Sequence, residues 1–261
     1  MRSGHAASGA GQNALLSQLH LDRMARSQPQ LMRFEVGDDS GAFVELLVRH
    51  GASLGSCVWP GALALCSEIM LHSAEGWASN ATVLELGAGV GLVGLCAAKF
   101  CACSAVVCTD TGADTMALLD ANVKGATSSV PITSQDLDWT MDFSLNTVEK
   151  FEVILAADVI YDASLHAPLL STLDAVTREE SVVQISFQIR SSSDSLFFLA
   201  ASRTWIISVI SEFEYRPGEM NAISRVACQA AKPFDFDSAL AAKQLDLTKR
   251  RIYILLFKKK M

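Results

Sequence analysis

From Ala81 onward the chain alternates short, almost wholly apolar runs with longer segments in which apolar residues recur every three or four positions. A strand covered on both faces needs such uninterrupted runs, and the helically spaced segments between them supply the cover. The pattern predicts strands at Val83–Leu86, Ala105–Cys108, Val130–Thr133, Phe151–Ala156 and Val182–Phe187, with helices at Leu92–Phe100, Asp114–Val123 and Leu165–Val176. Alternation of this kind predicts parallel βαβ units in a doubly wound α/β sheet with helices on both faces. A helix Ser195–Arg203 and strands Ile206–Ile210 and Ile252–Phe257 complete the series, while Arg216–Thr248 carries no readable period.

Ahead of this core, two β-prone runs, Leu31–Val36 and Phe43–His50, flank the turn-rich GDDSG and predict a hairpin. Pro60 then suits the first turn of a helix, where its missing N–H costs little, and Trp59, Leu63, Cys66 and Met70 share one face, predicting an amphipathic helix. Residues 1–30, rich in Ala, Ser, Gly and Gln, read as a loose extension with a short helix over Leu15–Met24. The expected organisation is thus an extension over 1–30 and one domain over 31–261, its hairpin spanning 31–58 and its core 59–261.

Composition narrows the function. Half the residues are hydrophobic and the formal net charge is −7, from 28 acidic and 21 basic residues. A compact globule follows, and a general affinity for nucleic-acid phosphates does not. Glu85, Lys99 and the glycines interrupt the apolar stretch 83–108, so no membrane span is expected there. Seven cysteines, an odd number without a secretory leader, read as reduced thiols in an intracellular compartment. Neither they nor the five histidines have metal-ligand spacing, so no metal is expected. With no heptad or apolar stripe to call for a partner, a monomer is expected.

The candidate chemistry begins at Val83–Gly94, VLELGAGVGLVG, where glycines follow the first core strand. In a doubly wound sheet the ligand sits beyond the carboxyl ends of the strands where their order reverses, and glycines there let it press against bare backbone. Two registers fit. Gly89-Val-Gly91-Leu-Val-Gly94 matches a dinucleotide GxGxxG, and Glu85-Leu-Gly87-Ala-Gly89-Val-Gly91 matches the ExGxGxG of S-adenosylmethionine (AdoMet) methyltransferases. Asp110, about twenty residues beyond Gly91, could hold ribose hydroxyls in either. Glu85 leans toward AdoMet, because a carboxylate is unfavourable beside a pyrophosphate and favourable beside a sulfonium. Its plainer alternative is a brace for a nearby loop.

Downstream stand VVCTDTGADTMALLDANV, LDW at Leu137–Trp139 and FEVILAADVIYD at Phe151–Asp162. With VWPGALALC and LELGAGVGLVGL upstream, these blocks resemble, in order and spacing, the seven-β-strand protein-lysine methyltransferases with a DxxY signature, over about residues 43–190. The resemblance implies a Rossmann-like seven-stranded sheet, mostly parallel with one antiparallel strand, and AdoMet as cofactor, leaving S-adenosylhomocysteine. It places Gly87, Ala88 and Gly89 under the methionine part, Asp110 on the ribose, and Trp59, Trp139 and Ala157 in contact with the cofactor. Asp158 and Tyr161 match the DxxY that lines the way in for the acceptor side chain. Family members act on different proteins, including chaperones and translation factors, so a protein presenting a lysine is the expected partner, in the cytoplasm with the nucleus as a second compartment.

Asp158 is expected to receive and align the amine rather than to deprotonate it, since an ionised carboxylate raises a neighbouring lysine's pKa. Taken alone, Asp158 could equally be a capping carboxylate, Tyr161 a core aromatic, and Trp59 and Trp139 packing residues. Competing functions are a same-fold methyltransferase acting on histidine, arginine or a small amine, a nicotinamide oxidoreductase, and a non-catalytic binding module.

Overall fold

A computed structural model describes residues 28–36, 41–141, 149–216, 223–245 and 250–260. The expected helix over Leu15–Met24 and the centre of the GDDSG turn lie outside the described residues. β1 (Gln30–Glu35) and β2 (Phe43–Val48) pair antiparallel as the expected hairpin, Phe34 opposite Val44. A single 3-10 turn, Leu54–Ser56, leads into α1 (Pro60–His72). Then come β3 (Thr82–Leu86), α2 (Leu92–Phe100), β4 (Ala105–Asp110), α3 (Ala113–Gly125), β5 (Ile132–Asp136), β6 (Phe151–Ala157), α4 (His166–Val176) and β7 (Thr177–Phe187). α5 (Ser195–Ala201), β8 (Trp205–Tyr215), β9 (Ser224–Pro233), α6 (Phe236–Leu245) and β10 (Arg250–Lys259) complete the order.

The main sheet runs β5-β4-β3-β6-β7-β10-β8-β9. β5 to β7 are parallel, and β10 inserts antiparallel between β7 and β8. The seven expected strands are therefore joined by an eighth, β9, antiparallel to β8 at the edge. It falls in the stretch that offered no readable period. Arg225 anchors it, approaching the buried Glu68 of α1 at 3.6 Å and donating to Ser211 Oγ at 2.9 Å, so a carboxylate shut inside the protein has a cationic partner.

Why the strands read as unbroken apolar runs is visible in their alternation. Val83, Val153, Leu155, Ile252 and Ile254 enter one core cluster with side chains of α1, α2, α3 and the hairpin. Leu84, Leu86, Ile154, Ala156, Tyr253 and Leu255 enter a second, under α4, α5 and α6, where Phe187, Phe197 and Phe198 pack edge to face. Successive residues point to opposite faces, and both faces are dry.

α1 departs from the expected amphipathic helix. Leu63, Ala64, Leu65, Cys66, Glu68 and Ile69 are all buried, because the helix is wedged between the sheet and α2 and so has little wet face. Trp59 does not join its buried face but stands at the N-cap, 39% exposed.

Asn122 of α3 ties the hairpin to the core. Its Oδ1 accepts the Leu47 N–H at 2.6 Å, and its Nδ2 donates to the carbonyls of Leu47 at 3.0 Å and Val90 at 2.8 Å. One buried amide thereby joins β2 to the loop after β3. Asn122→Ala leaves three backbone groups without partners and is expected to cost about 2–4 kcal/mol. Denaturant unfolding should show a lower midpoint; an unchanged midpoint would deny Asn122 this role.

Candidate active site

Strand order reverses at β3, because the chain first adds β4 and β5 on one side of it and then crosses back to add β6 and β7 on the other. The loop leaving β3 turns through three glycines with positive φ, Gly87 at 63°, Gly89 at 56° and Gly91 at 88°, the last serving as N-cap of α2. L side chains rarely adopt this region. A Cβ on Gly87 would meet Val159 at 2.8 Å and the Trp139 ring at 3.3 Å, so the neighbouring walls also demand glycine.

Asp110, at the tip of β4, reaches back to this loop. One of its carboxylate oxygens accepts the Gly89 N–H at 2.7 Å and the other accepts the Thr111 N–H at 2.7 Å. Burial pushes its pKa up, opposed by those two N–H groups. Glu85 behaves differently. Only 2% exposed, it accepts the Gly94 N–H at 2.8 Å in the first turn of α2, and burial pushes its pKa up to about 8. It lines the floor of the cleft and braces the helix, the plainer of the two readings open in the sequence, while the raised pKa weakens the charge on which the lean toward a sulfonium rested.

The 3-10 turn forms the opposite wall. Ser53 Oγ contacts Thr115 Oγ1 at 3.2 Å, Arg49 pairs with Asp114 at 2.9 Å, and the Trp59 indole N–H donates to the Leu54 carbonyl at 2.9 Å. Leu137 donates its N–H to the Asp110 carbonyl at 2.8 Å, which carries Asp138 and Trp139 to the cleft.

At the tip of β6, Asp158 is a non-glycine residue with φ 57°, held by its N–H on the Ser186 carbonyl at 3.1 Å. Its Oδ2 accepts the Gly61 N–H at 2.8 Å and its Oδ1 pairs with Arg190 Nη2 at 3.0 Å. The residue expected to await an amine thus already has a protein partner on each oxygen. Tyr161, three residues on, is 45% exposed; burial of its remainder raises its pKa, as do the carboxylates of Asp110 and Asp162.

All ten sequence-predicted site residues, Trp59, Glu85, Gly87, Ala88, Gly89, Asp110, Trp139, Ala157, Asp158 and Tyr161, line one cleft of about 920 Å³, counting the part open to solvent. That size suits a cofactor. Leu54, Gly55, Cys57, Thr111, Asp138, Val159 and Leu165 also line it and were not anticipated. Gly55 left a faint signal as a glycine ahead of the helix; the others are ordinary residues brought in by the turns. The bare loop and the strand-tip Asp110 fit a nucleoside.

A model of lysine methyltransferases matches residues 43–204. The chain belongs to that family. Its cofactor is AdoMet. Among relatives, it is 35% identical to mouse methyltransferase-like protein 22 over 140 residues, 46% of this chain and 35% of that one. It is 28% identical to mouse protein-lysine methyltransferase METTL21E over 176 residues, 65% of this chain and 71% of that one. It is also 31% identical to Xenopus tropicalis protein N-lysine methyltransferase METTL21A over 150 residues, 55% of this chain and 65% of that one. The chain therefore spans between about a third and seven tenths of these relatives' lengths. In fold it resembles the Thermus thermophilus 16S rRNA N2 G1207 methyltransferase solved with AdoMet and guanosine, at TM-score 0.56 and 15% identity, covering 90% of this chain and 51% of that one.

Glu85 has a measurable consequence. Its carboxyl takes up a proton on folding at any pH between 4.5 and about 8, so its contribution to stability falls as pH rises through that window. Glu85→Gln keeps an acceptor for Gly94 and removes the titration. Between about pH 6 and pH 9, wild type should lose roughly 2–3 kcal/mol more than the variant in denaturant unfolding. Equal losses would contradict the buried, protonated carboxyl.

Proposed function

We propose that this chain transfers a methyl group from AdoMet to a lysine side chain of another protein. The observation that carries the reading is the meeting, in one open cleft of a lysine methyltransferase family member, of the glycine loop, the strand-tip Asp110 and the half-exposed Tyr161. Bound AdoMet supplies an electrophilic methyl group on a sulfonium. The chain's own residues bind it and align the acceptor.

Gly87, Ala88 and Gly89 offer a flat backbone, Asp110 offers oxygens to the ribose, and Trp59, Trp139 and Ala157 close the sides. Glu85 lies below, where burial keeps its carboxyl largely protonated at neutral pH. Gly94, the third glycine of the dinucleotide register, is buried and its N–H is already given to Glu85, which weighs against a pyrophosphate on that helix end. Tyr161 at the mouth can pack along the lysine stem, with its hydroxyl at the amine.

The reaction needs a neutral amine in line with methyl and sulfur, and for a free lysine with a pKa of about 10.4 deprotonation at pH 7 costs roughly 4–5 kcal/mol. Partial burial beside the sulfonium lowers that cost. A protein acceptor, rather than a small amine, is favoured by the exposed Leu54, Trp59 and Tyr161 that line the cleft. A place in the cytoplasm, with the nucleus as a second compartment, accords with the six described cysteines, all free and five of them buried.

Incubating the protein with isotope-labelled AdoMet and heat-treated cell extract, then mapping the label by mass spectrometry, should find methyl-lysine in a discrete acceptor. Label on histidine, arginine or small amines would redirect the assignment. Tyr161→Ala should cut turnover roughly 100-fold or more while leaving AdoMet affinity within a few-fold in calorimetry; full activity would remove Tyr161 from the acceptor site.

A further inference from the structure

Three separate segments meet on the Asp158 carboxylate. The first is the start of α1, through the Gly61 N–H at 2.8 Å; a Cβ on Gly61 would overlap that carboxylate and approach Ser186 Oγ at 2.7 Å, so only glycine fits. The second is the left-handed turn that carries Asp158 itself on to Tyr161. The third is the segment after β7, through Arg190 Nη2 at 3.0 Å. Arg190 is fixed in turn, because its backbone N–H donates at 2.8 Å to Asp194, a residue 4% exposed that closes a capping box with Ser191.

The arrangement bears on a conflict within the proposed reaction. The acceptor amine must shed a proton, yet a carboxylate at the cleft wall stabilises its charged form. We propose that Arg190 is a positioning residue for the methyl acceptor, pairing with Asp158 so that the lysine approaches a neutralised carboxylate while the turn bearing Tyr161 stays fixed. The inference rests on the lysine-methylation reading. In the step it serves, a proton first leaves the ammonium for water. The nitrogen lone pair then forms the N–C bond as the C–S bond breaks, its electron pair returning to sulfur, and a second proton leaves the methylated nitrogen.

Other groups around the pair shape the same field. Glu85 and Asp110 line the cleft from β3 and β4, Cys57 from the segment before α1, and Tyr161 from the turn. Asp162 follows Tyr161, and Asp194 and His166 stand beyond Arg190, with Asp194 acting on His166. From β8, Tyr215 donates to Gln188 at 3.0 Å and is influenced by Asp158, Arg190 and Arg250. Arg190 also acts on Tyr161, lowering its pKa against the larger upward effect of burial, so its field extends to the mouth. Two unlike features, the guanidinium charge beside the carboxylate and a left-handed residue pinned by three segments, thus act on the same approach to the cleft.

The test compares rate against pH for the full chain, with labelled AdoMet as donor, heat-treated cell extract as acceptor, and methyl-lysine as readout. Arg190→Met should move the acid limb of the profile upward by about one pH unit, with activity near pH 7.5 down roughly tenfold and largely recovered near pH 9.5. Arg190→Lys, which keeps the charge, should retain the wild-type limb. Asp158→Asn combined with Arg190→Met, which removes both charges, should bring the limb back. A folded Arg190→Met protein with normal AdoMet affinity and an unshifted limb, or one equally slow at every pH, overturns the role. Should Arg190→Met fail to fold, a shifted limb in Arg190→Lys or an unrestored one in the double variant does so. Wild type forming no methyl-lysine overturns the lysine reading itself, a result distinct from an active wild type with an indifferent Arg190.

Discussion

The cleft depends on two strand tips that turn where ordinary residues resist turning. β3 leaves the sheet through Gly87, Gly89 and Gly91, and its neighbour β6 leaves through Asp158, all with positive φ. Glycine makes the first turn cheap. The second is offset by contacts: the Ser186 carbonyl, the Gly61 N–H and Arg190 hold Asp158 in place. Because the two strands are adjacent and parallel, both loops open on the same side of the sheet, and the space between them is the cleft.

Four acids line that space, and each is managed by its own bonds; Asp138 accepts the backbone N–H and the hydroxyl of Thr140. Asp110 takes two backbone N–H groups, Glu85 takes one and is held largely protonated by burial, and Asp158 takes a backbone N–H and a guanidinium. Their charges are thus spread or cancelled before any ligand arrives. Carboxylates bonded in this way leave less charge facing an amine that must become neutral, and what weighs against a pyrophosphate is the Gly94 N–H, already given to Glu85.

Much of this was legible in the sequence. The parallel strands are buried on both faces, so their apolar runs stood out, and α2 falls on Leu92–Phe100 as its spacing predicted. β9 and α6 did not stand out. β9 lies at the sheet edge with only β8 for a neighbour, its register against β8 shifts twice, and its sequence SRVACQAAKP has no strict alternation. The ten candidate residues could be named because the blocks that carry them resemble a known family, and they line one cleft because the strand tips bearing most of them converge. The partners of Asp158 could not, since Gly61 and Arg190 are far from it in sequence and close only once the sheet has formed. The same holds for Asn122, whose amide meets Leu47 and Val90 across two other elements. Local pattern reveals which residues surround the cleft, and long-range hydrogen bonds decide what each one is free to do.

The central claim is that the glycine turn after β3 and Asp110 at the tip of β4 together hold the methyl donor. The most direct test is a crystal structure of the full chain with S-adenosylhomocysteine. The expected result is the ribose hydroxyls on the Asp110 carboxylate and the amino-acid portion against Gly87–Gly89. Density for the nucleoside elsewhere, with Asp110 still bonded only to Gly89 and Thr111, would contradict it.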